Sequence, residues 1–236
     1  MNIDLLHEVA PSRANLAKAR LLEAGLQCFA DRGLKGVTIR EIARISGQNS
    51  AAITYYFGGK EGLYTAVLEA VMRFFKNHVL VAEKTYGNSP PVEEMSPEQA
   101  VVLLKRIQRD FTLGILTDAK ATQFALLMVR EQTQPTAAFE TLYTDTVEPL
   151  HRMLSTILAR ITGDDPASPR AVLRAHSFIG QLQSFVMARE TLLRRMGWPC
   201  YDPDRAAQVA DSLSDSLDIF VAGFKARTQP QPDTNA

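Results

Sequence analysis

The sequence predicts an all-α fold. Apolar positions along its 236 residues recur at spacings of three and four, and no stretch alternates with the period of two that a half-buried strand requires. Serine, threonine and asparagine caps precede the periodic segments, and glycine or Gly-Pro clusters follow them. At 46% hydrophobic and 22% charged residues, the chain has the composition of a soluble globular protein able to bury a core. About nine helices follow from this punctuation.

The first helix runs from about Ser12, its N-cap, to about Asp31, with Gly33 as its stop. Leu22, Leu26 and Phe29 face inward, flanked by Leu21, Ala24 and Cys28, and Cys28 reads as a small buried apolar group. A second helix starts after Thr38, with Glu41 three residues on in the capping-box arrangement, and ends near Ser46 and Gly47. A third, short one spans about Ser50 to Tyr56 and closes at Gly58 and Gly59. The fourth carries the stripe Leu63, Val67, Ala70, Val71, Phe74 and His78. Tyr86 to Pro97 is the clearest loop, with Gly87, Pro90, Pro91 and Pro97. Later breaks fall at Thr117-Asp118, Gln134-Pro135, Gly163 to Pro166 and Gly197 to Pro199. Pro149 should kink its segment or begin a new helix. Residues 1–11 and 228–236 read as flexible tails.

Residues 38–57 form two short helices hinged on Gly47, with Ile42, Ala43, Ile45, Ile53 and Phe57 available to close a small core. That is a helix-turn-helix, whose second helix points its amino-terminal side chains into a major groove. Gln48, Asn49 and Ser50 offer uncharged hydrogen-bonding groups, and Ala51 and Ala52 permit close approach to base edges and thymine methyls. Tyr55, Tyr56 and Lys60 follow as hydroxyl and ammonium donors suited to phosphate oxygens. The charge agrees with this placement. The formal net charge is zero, yet residues 1–60 hold eight bases against five acids, a net +3, which leaves −3 over the remainder. A polyanion would therefore meet the amino-terminal end.

The run Val37 to Ala43, then Gly47, then Ile53 to Leu63, together with Phe29-Ala30-Asp31-Arg32-Gly33, closely resembles the amino-terminal domain of the TetR family of bacterial repressors over about residues 15–70. Gly47 to Ile53, Arg130-Glu131-Gln132 with Pro135 to Ala138, Pro149-Leu150-His151 and Glu190 to Trp198 are similar to the CecR branch of that family. The resemblance implies an amino-terminal three-helix helix-turn-helix domain over residues 12–60 and a larger helical ligand-binding and dimerisation domain over residues 61–227. It implies phosphate contacts from Thr38, Tyr55, Tyr56 and Lys60. Base readout would come from Arg40, Gln48, Asn49, Ser50, Ala51, Ala52 and Thr54, with Gln48 able to serve either purpose. Thr38 is a helix cap in any case, Tyr56 also suits a packing role, and Arg44 and Lys35 read as a solvated face.

In the carboxy-terminal part, Val172, Ala175, Ile179, Leu182 and Val186 line one helix face, while Phe178, Phe185 and Leu192 stand on another. A helix this apolar needs cover on two sides. The last helix adds Val209, Leu213, Leu217, Phe220, Val221 and Phe224. The resemblance implies a homodimer through these two helices, with Val172, Ile179, Leu182, Val186, Leu213, Leu217, Phe220 and Phe224 as interface candidates. The alternative is that both helices bury within their own subunit. The resemblance also implies a small-molecule effector pocket, whose candidates are Phe111, Phe124, Met128, Arg130, Glu131, His151, His176, Phe178 and Gln181. Arg130 and Glu131 read either as a structural ion pair or as the polar anchor of that pocket. Glu190 and Arg194, spaced i,i+4, are a helix-face pair, and Trp198 reads as a plug for the loop before the final helix.

Other function classes find no support. There is no GxSxG, Walker loop, GxGxxG, HExxH or CxxC, and His7, His78, His151 and His176 lack metal-ligand spacing, so neither an enzyme nor a cofactor is expected. Cys28 and Cys200 alone build no disulfide framework. The longest apolar run, Phe124 to Val129, is far short of a membrane span, and the first residues carry no secretory signal, so a cytoplasmic protein is expected. The expected function is a dimeric DNA-binding transcriptional regulator, a repressor on a near-palindromic operator that an effector releases. The alternative is a helical ligand-binding or scaffolding protein that no longer reads DNA. Salt-dependent duplex binding separates the two.

Overall fold

The computed structural model describes residues 12–78 and 90–228, and among them all regular structure is helical. The expected tail 1–11, the loop segment 86–89 and the tail beyond Thr228 lie outside the described residues, as does the side chain of His78. In chain order the elements are α1 (Arg13–Arg32), α2 (Ile39–Ser46), α3 (Ser50–Phe57), α4 (Lys60–His78), a 3-10 turn (Val92–Glu94), α5 (Pro97–Thr117), α6 (Ala119–Thr133) and α7 (Phe139–Leu142). A π turn (Tyr143–Val147), α8 (Glu148–Thr162), α9 (Pro169–Met187), α10 (Arg189–Met196) and α11 (Pro203–Thr228) complete the chain.

Local chemistry explains most boundaries. Ser12 Oγ accepts from the Asn15 N–H, Asp118 accepts from the Lys120 and Ala121 N–H groups, and Ser168 accepts from Ala171 ahead of Pro169 in the first turn of α9. Two expectations change, and the one for Pro149 is met. Part of the expected loop is core: Val92 and Met95 are buried, and Pro97 opens α5, where a missing N–H costs nothing. The segment ahead of Pro149 widens into the π turn, with Glu148 N–H reaching back to the Tyr143 carbonyl; proline has no N–H to continue the α ladder, and its ring crowds the carbonyl four residues back. The long helix expected before Gly197 breaks at Ala188, between α9 and α10.

The chain forms two compact units. One combines residues 12–78 with 118–148; the other combines 90–117 with 149–228. In the first, α1 packs on α2, α4 and α6, and Leu21, Leu26, Phe29, Ile42, Ile53, Leu63 and Phe124 are among its largest sealed side chains. Gly25 permits the close approach of α1 to α4, since a Cβ there would stand 3.2 Å from Val67 Cγ2. In the second, Leu104, Ile157, Leu158, Ala175, Phe178 and Leu217 form the core, joined by Val92 and Met95. Its α11 lies along α5, bridged by Lys105 to Asp218 at 2.6 Å and Arg109 to Asp211 at 2.5 Å.

Candidate nucleic-acid interface

Within the first unit, α2 and α3 make the expected helix-turn-helix. Thr38 and Glu41 form a full capping box: Glu41 N–H donates to Thr38 Oγ1 at 3.3 Å, while Glu41 Oε2 accepts from the Thr38 N–H and hydroxyl, each at 2.8 Å. The turn between the helices depends on Gly47, which is left-handed at φ 66°; Gln48 N–H then closes on the Ala43 carbonyl at 3.0 Å. Asn49 caps α3, its Oδ1 accepting from the Ala51 N–H at 3.0 Å. The small core holds Ile42, Ala43 and Ile53, with Phe57 half-buried. Ile45 departs from expectation. At 39% exposed it lies on the outer face of α2, away from the side that Ile42 and Ala43 bury.

The residues expected to read bases divide by exposure. Arg40, Asn49, Ala51 and Thr54 are exposed; Gln48, Ser50 and Ala52 are half-buried. Of the expected phosphate ligands, Thr38 and Tyr55 are exposed, Tyr55 at 82%. Tyr56 is half-buried, edge-on to Tyr55 at 4.9 Å with the Lys18 ammonium 5.4 Å from its ring centroid, so it packs as well as presenting a hydroxyl. Lys60 is also committed within the fold, its Nζ donating to the Val37 carbonyl at 3.1 Å beside Thr38. An ammonium has three donors, which leaves two for phosphate.

One participant escaped the sequence reading. Arg32, in the last turn of α1, donates to Glu41 Oε1 at 2.8 Å. With the Thr38 N–H and hydroxyl, it holds the Glu41 carboxyl down at about 2. The capping acid beside Thr38 is thus kept ionised and paired, which limits its repulsion of a nearby phosphate. A base in the last helical turn was the only sequence signal, and it does not say which acid lies nine residues on.

The pocket candidates fall in both units. In the first, Phe124, Met128 and Glu131 are buried and Arg130 half-buried. Phe124 is core, edge-on to Phe74 at 5.1 Å. Arg130 and Glu131 turn to different partners rather than to each other. Arg130 Nη2 donates to the Asp31 carbonyl at 2.6 Å and to that of Ala30 at 3.3 Å. Glu131 Oε1 accepts from the Tyr64 hydroxyl, and Oε2 from the Thr136 N–H at 3.2 Å and hydroxyl at 3.0 Å. Burial, with that hydrogen bond, raises the Tyr64 pKa.

In the second unit, Phe111 is half-buried. His151 stacks on His176 with ring centroids 5.5 Å apart, and burial, with His176 adding to it, lowers the His151 pKa. Phe178 and Gln181 line a cavity of about 450 Å³ between α8, α9 and α11, together with the buried Leu158 and Leu217 and with Arg170. Among the interface candidates, Val186, Leu213 and Leu217 are buried within this unit, and Ile179, Leu182 and Phe224 are half-buried there, Phe224 lying under Arg174 at 4.8 Å. Val172 and Phe220 remain exposed, joined by Leu173 at 66% and Ile219 at 74%, which the sequence reading did not single out. Trp198 is half-buried near Tyr201 and Arg205. Among the described residues no helix is long and apolar enough to cross a membrane.

Comparison with known proteins agrees with this architecture. Residues 21–67 match the amino-terminal profile of bacterial regulatory proteins of the tetR family, and residues 100–224 match the carboxy-terminal domain of the HTH-type transcriptional dual regulator CecR. CecR of Shigella flexneri is 33% identical over 218 residues, covering 90% of this chain and 94% of its own. RutR of Escherichia coli (strain K12) is 39% identical over 62 residues, 26% of this chain and 29% of its own. A TetR-like regulator from Rhodococcus sp. RHA1 superposes with a TM-score of 0.63 at 19% identity, over 91% of this chain and all of its own. AibR, in complex with isovaleryl coenzyme A and operator DNA, superposes at 0.61 and 19% identity, over 85% and 97%. With both of its parts matched and one relative aligned over nearly its whole length, the chain belongs to the TetR family of DNA-binding transcriptional regulators, in the branch that carries the CecR carboxy-terminal domain.

Proposed function

We propose that the chain is a repressor that holds a near-palindromic operator as a homodimer and lets go when a small-molecule effector binds. Residues 12–60 read the DNA, and residues 61–227 bind the effector and the second subunit. The observation that carries this reading is the strip of Arg40, Asn49, Ala51, Thr54 and Tyr55, exposed on a helix-turn-helix whose capping box and Gly47 turn are intact. Dimerisation doubles the contacts of one short recognition helix, and Val172, Leu173, Ile219 and Phe220 supply exposed apolar surface for it. AibR, complexed with both a ligand and operator DNA, supports an effector-linked mechanism. An effector acts only through the difference in its affinity for the two states of the dimer. The protein works in the cytoplasm by binding, without catalysis.

Two substitutions test the DNA reading. Lys60→Ala weakens all duplexes alike and reduces the salt slope by about one. Asn49→Ser keeps an oxygen to cap α3 but removes the amide, so it relaxes sequence preference while the fold is retained. If fluorescence anisotropy finds both variants binding genomic fragments as the wild type does, α3 is not the recognition helix.

A further inference from the structure

Residues 118–148 follow α5 in the chain, yet they pack with α1 to α4. This places α6 against α1, and the contacts it makes there are specific. The last four carbonyls of a helix have no partner within it. Arg130 of α6 takes two of these at the end of α1, those of Ala30 and Asp31. It lies so near that a Cβ on Gly33 would meet Arg130 Cδ at 3.0 Å. The next residue of α1 is Arg32, which holds Glu41 at 2.8 Å. The other oxygen of Glu41 holds the N–H and hydroxyl of Thr38. Lys60 fixes the preceding carbonyl, that of Val37. A continuous line of contacts thus runs from α6 through the end of α1 to the cap of α2.

We propose that Arg130 is a positioning residue for DNA binding. By gripping the end of α1 it keeps Arg32 on Glu41, and so keeps Thr38 in place and the Glu41 charge neutralised where a phosphate would lie. The proposal rests on the reading of α2 and α3 as the DNA-contacting helices and adds the point at which regulation enters. Any state in which α6 withdraws Arg130 from Ala30 and Asp31 frees the end of α1, uncouples Arg32 from Glu41 and weakens the grip on DNA. An effector favouring that state is an inducer, and one favouring the clamped state is a corepressor.

The test uses the full chain, with a genomic fragment retained by the wild type as probe. Arg130→Met lowers the affinity by roughly five- to thirty-fold, and Arg130→Lys, which keeps a donor for the carbonyls, recovers most of the loss. In an Arg32→Met background, Arg130→Met adds less than two-fold, because the contact it acts through is already gone. A second readout needs no DNA. NMR titration finds the Glu41 carboxyl moving from about 2 in the wild type towards 4.5 in Arg130→Met. A merely structural clamp would lower thermal stability while leaving the Glu41 titration and the Arg32-dependence unchanged, and that result overturns the proposal. So does full additivity of the two substitutions. A wild type that binds DNA without salt dependence defeats the underlying DNA reading instead, and the Glu41 titration still decides whether the relay exists.

Discussion

Replacing Tyr64 by Phe removes one oxygen from the molecule. The ring keeps its edge-on contact with Phe29, with centroids 4.9 Å apart, so the substitution isolates the hydroxyl. That hydroxyl is the partner of Glu131 Oε1, and the carboxylate is wholly sealed from solvent, with Oε2 left to the Thr136 N–H and hydroxyl. A hydrogen bond to a buried charged acceptor is worth about 1.5–3 kcal/mol, because the orphaned oxygen cannot return to water. A loss of about 2 kcal/mol corresponds to a Tm lower by roughly 4–8 °C in a chain of this size. Urea unfolding followed by circular dichroism measures the first quantity and a thermal scan the second. The same substitution in a Glu131→Leu background should be close to neutral, since both partners of the bond are then absent. If Tyr64→Phe costs less than about 0.5 kcal/mol, or costs the same with and without Glu131, the bond does not join α4 to α6 as described.

Three further predictions concern the second unit. Burial and the facing His176 lower the His151 pKa below 6.5, so the unfolded chain takes up a proton that the folded one resists. Stability is therefore full above pH 6.5 and falls as the pH drops below it, and His151→Phe flattens that slope in urea midpoints at neutral and mildly acidic pH; an unchanged slope removes His151 as its source. Leu213, 6% exposed, belongs to the packing of its own unit, so Leu213→Ala costs about 2–5 kcal/mol of folding stability. The pair Leu173→Ser and Ile219→Ser, at exposed positions, leaves folding nearly unchanged and shifts sedimentation towards monomer. A dimer of wild-type strength in that pair places the subunit contact elsewhere.

What the sequence made legible and what it hid are separated by chain distance. The Ser12 cap, the Thr38–Glu41 box and the Gly47 turn all act within a few residues, where residue type alone sets the geometry. The composition of the recognition helix was readable for the same reason, down to the alanines that stand beside Asn49. Lys60 looked like a free phosphate ligand because its partner, the Val37 carbonyl, lies 23 residues back. Arg130 and Glu131 looked like an ion pair or a pocket anchor because their partners lie about a hundred and 67 residues away, at Ala30 and Tyr64. Ile45 was misplaced for a different reason. In an eight-residue helix one apolar position too many still fits a helical period, and only the tertiary partner decides which side is covered. On α9 and α11 the same ambiguity spans whole faces, so Leu213 and Leu217 could be assigned to a partner when their own unit already held them.

The least legible feature is where the middle of the chain packs. Residues 100–224 match a carboxy-terminal family domain, yet 118–148 pack with the amino-terminal helices. Residues 118–148 are threaded into the first unit, joined covalently to α5 at Asp118 and to α8 at Glu148. From there Arg130 and Glu131 hold α1 and α4 separately. Two grips on two helices define an orientation where one would define only a pivot. Loss of either grip should therefore change the geometry of α2 and α3 differently: Glu131→Gln at the α4 side, and Arg130→Met at the end of α1, where Arg32 and Glu41 stand between the clamp and Thr38.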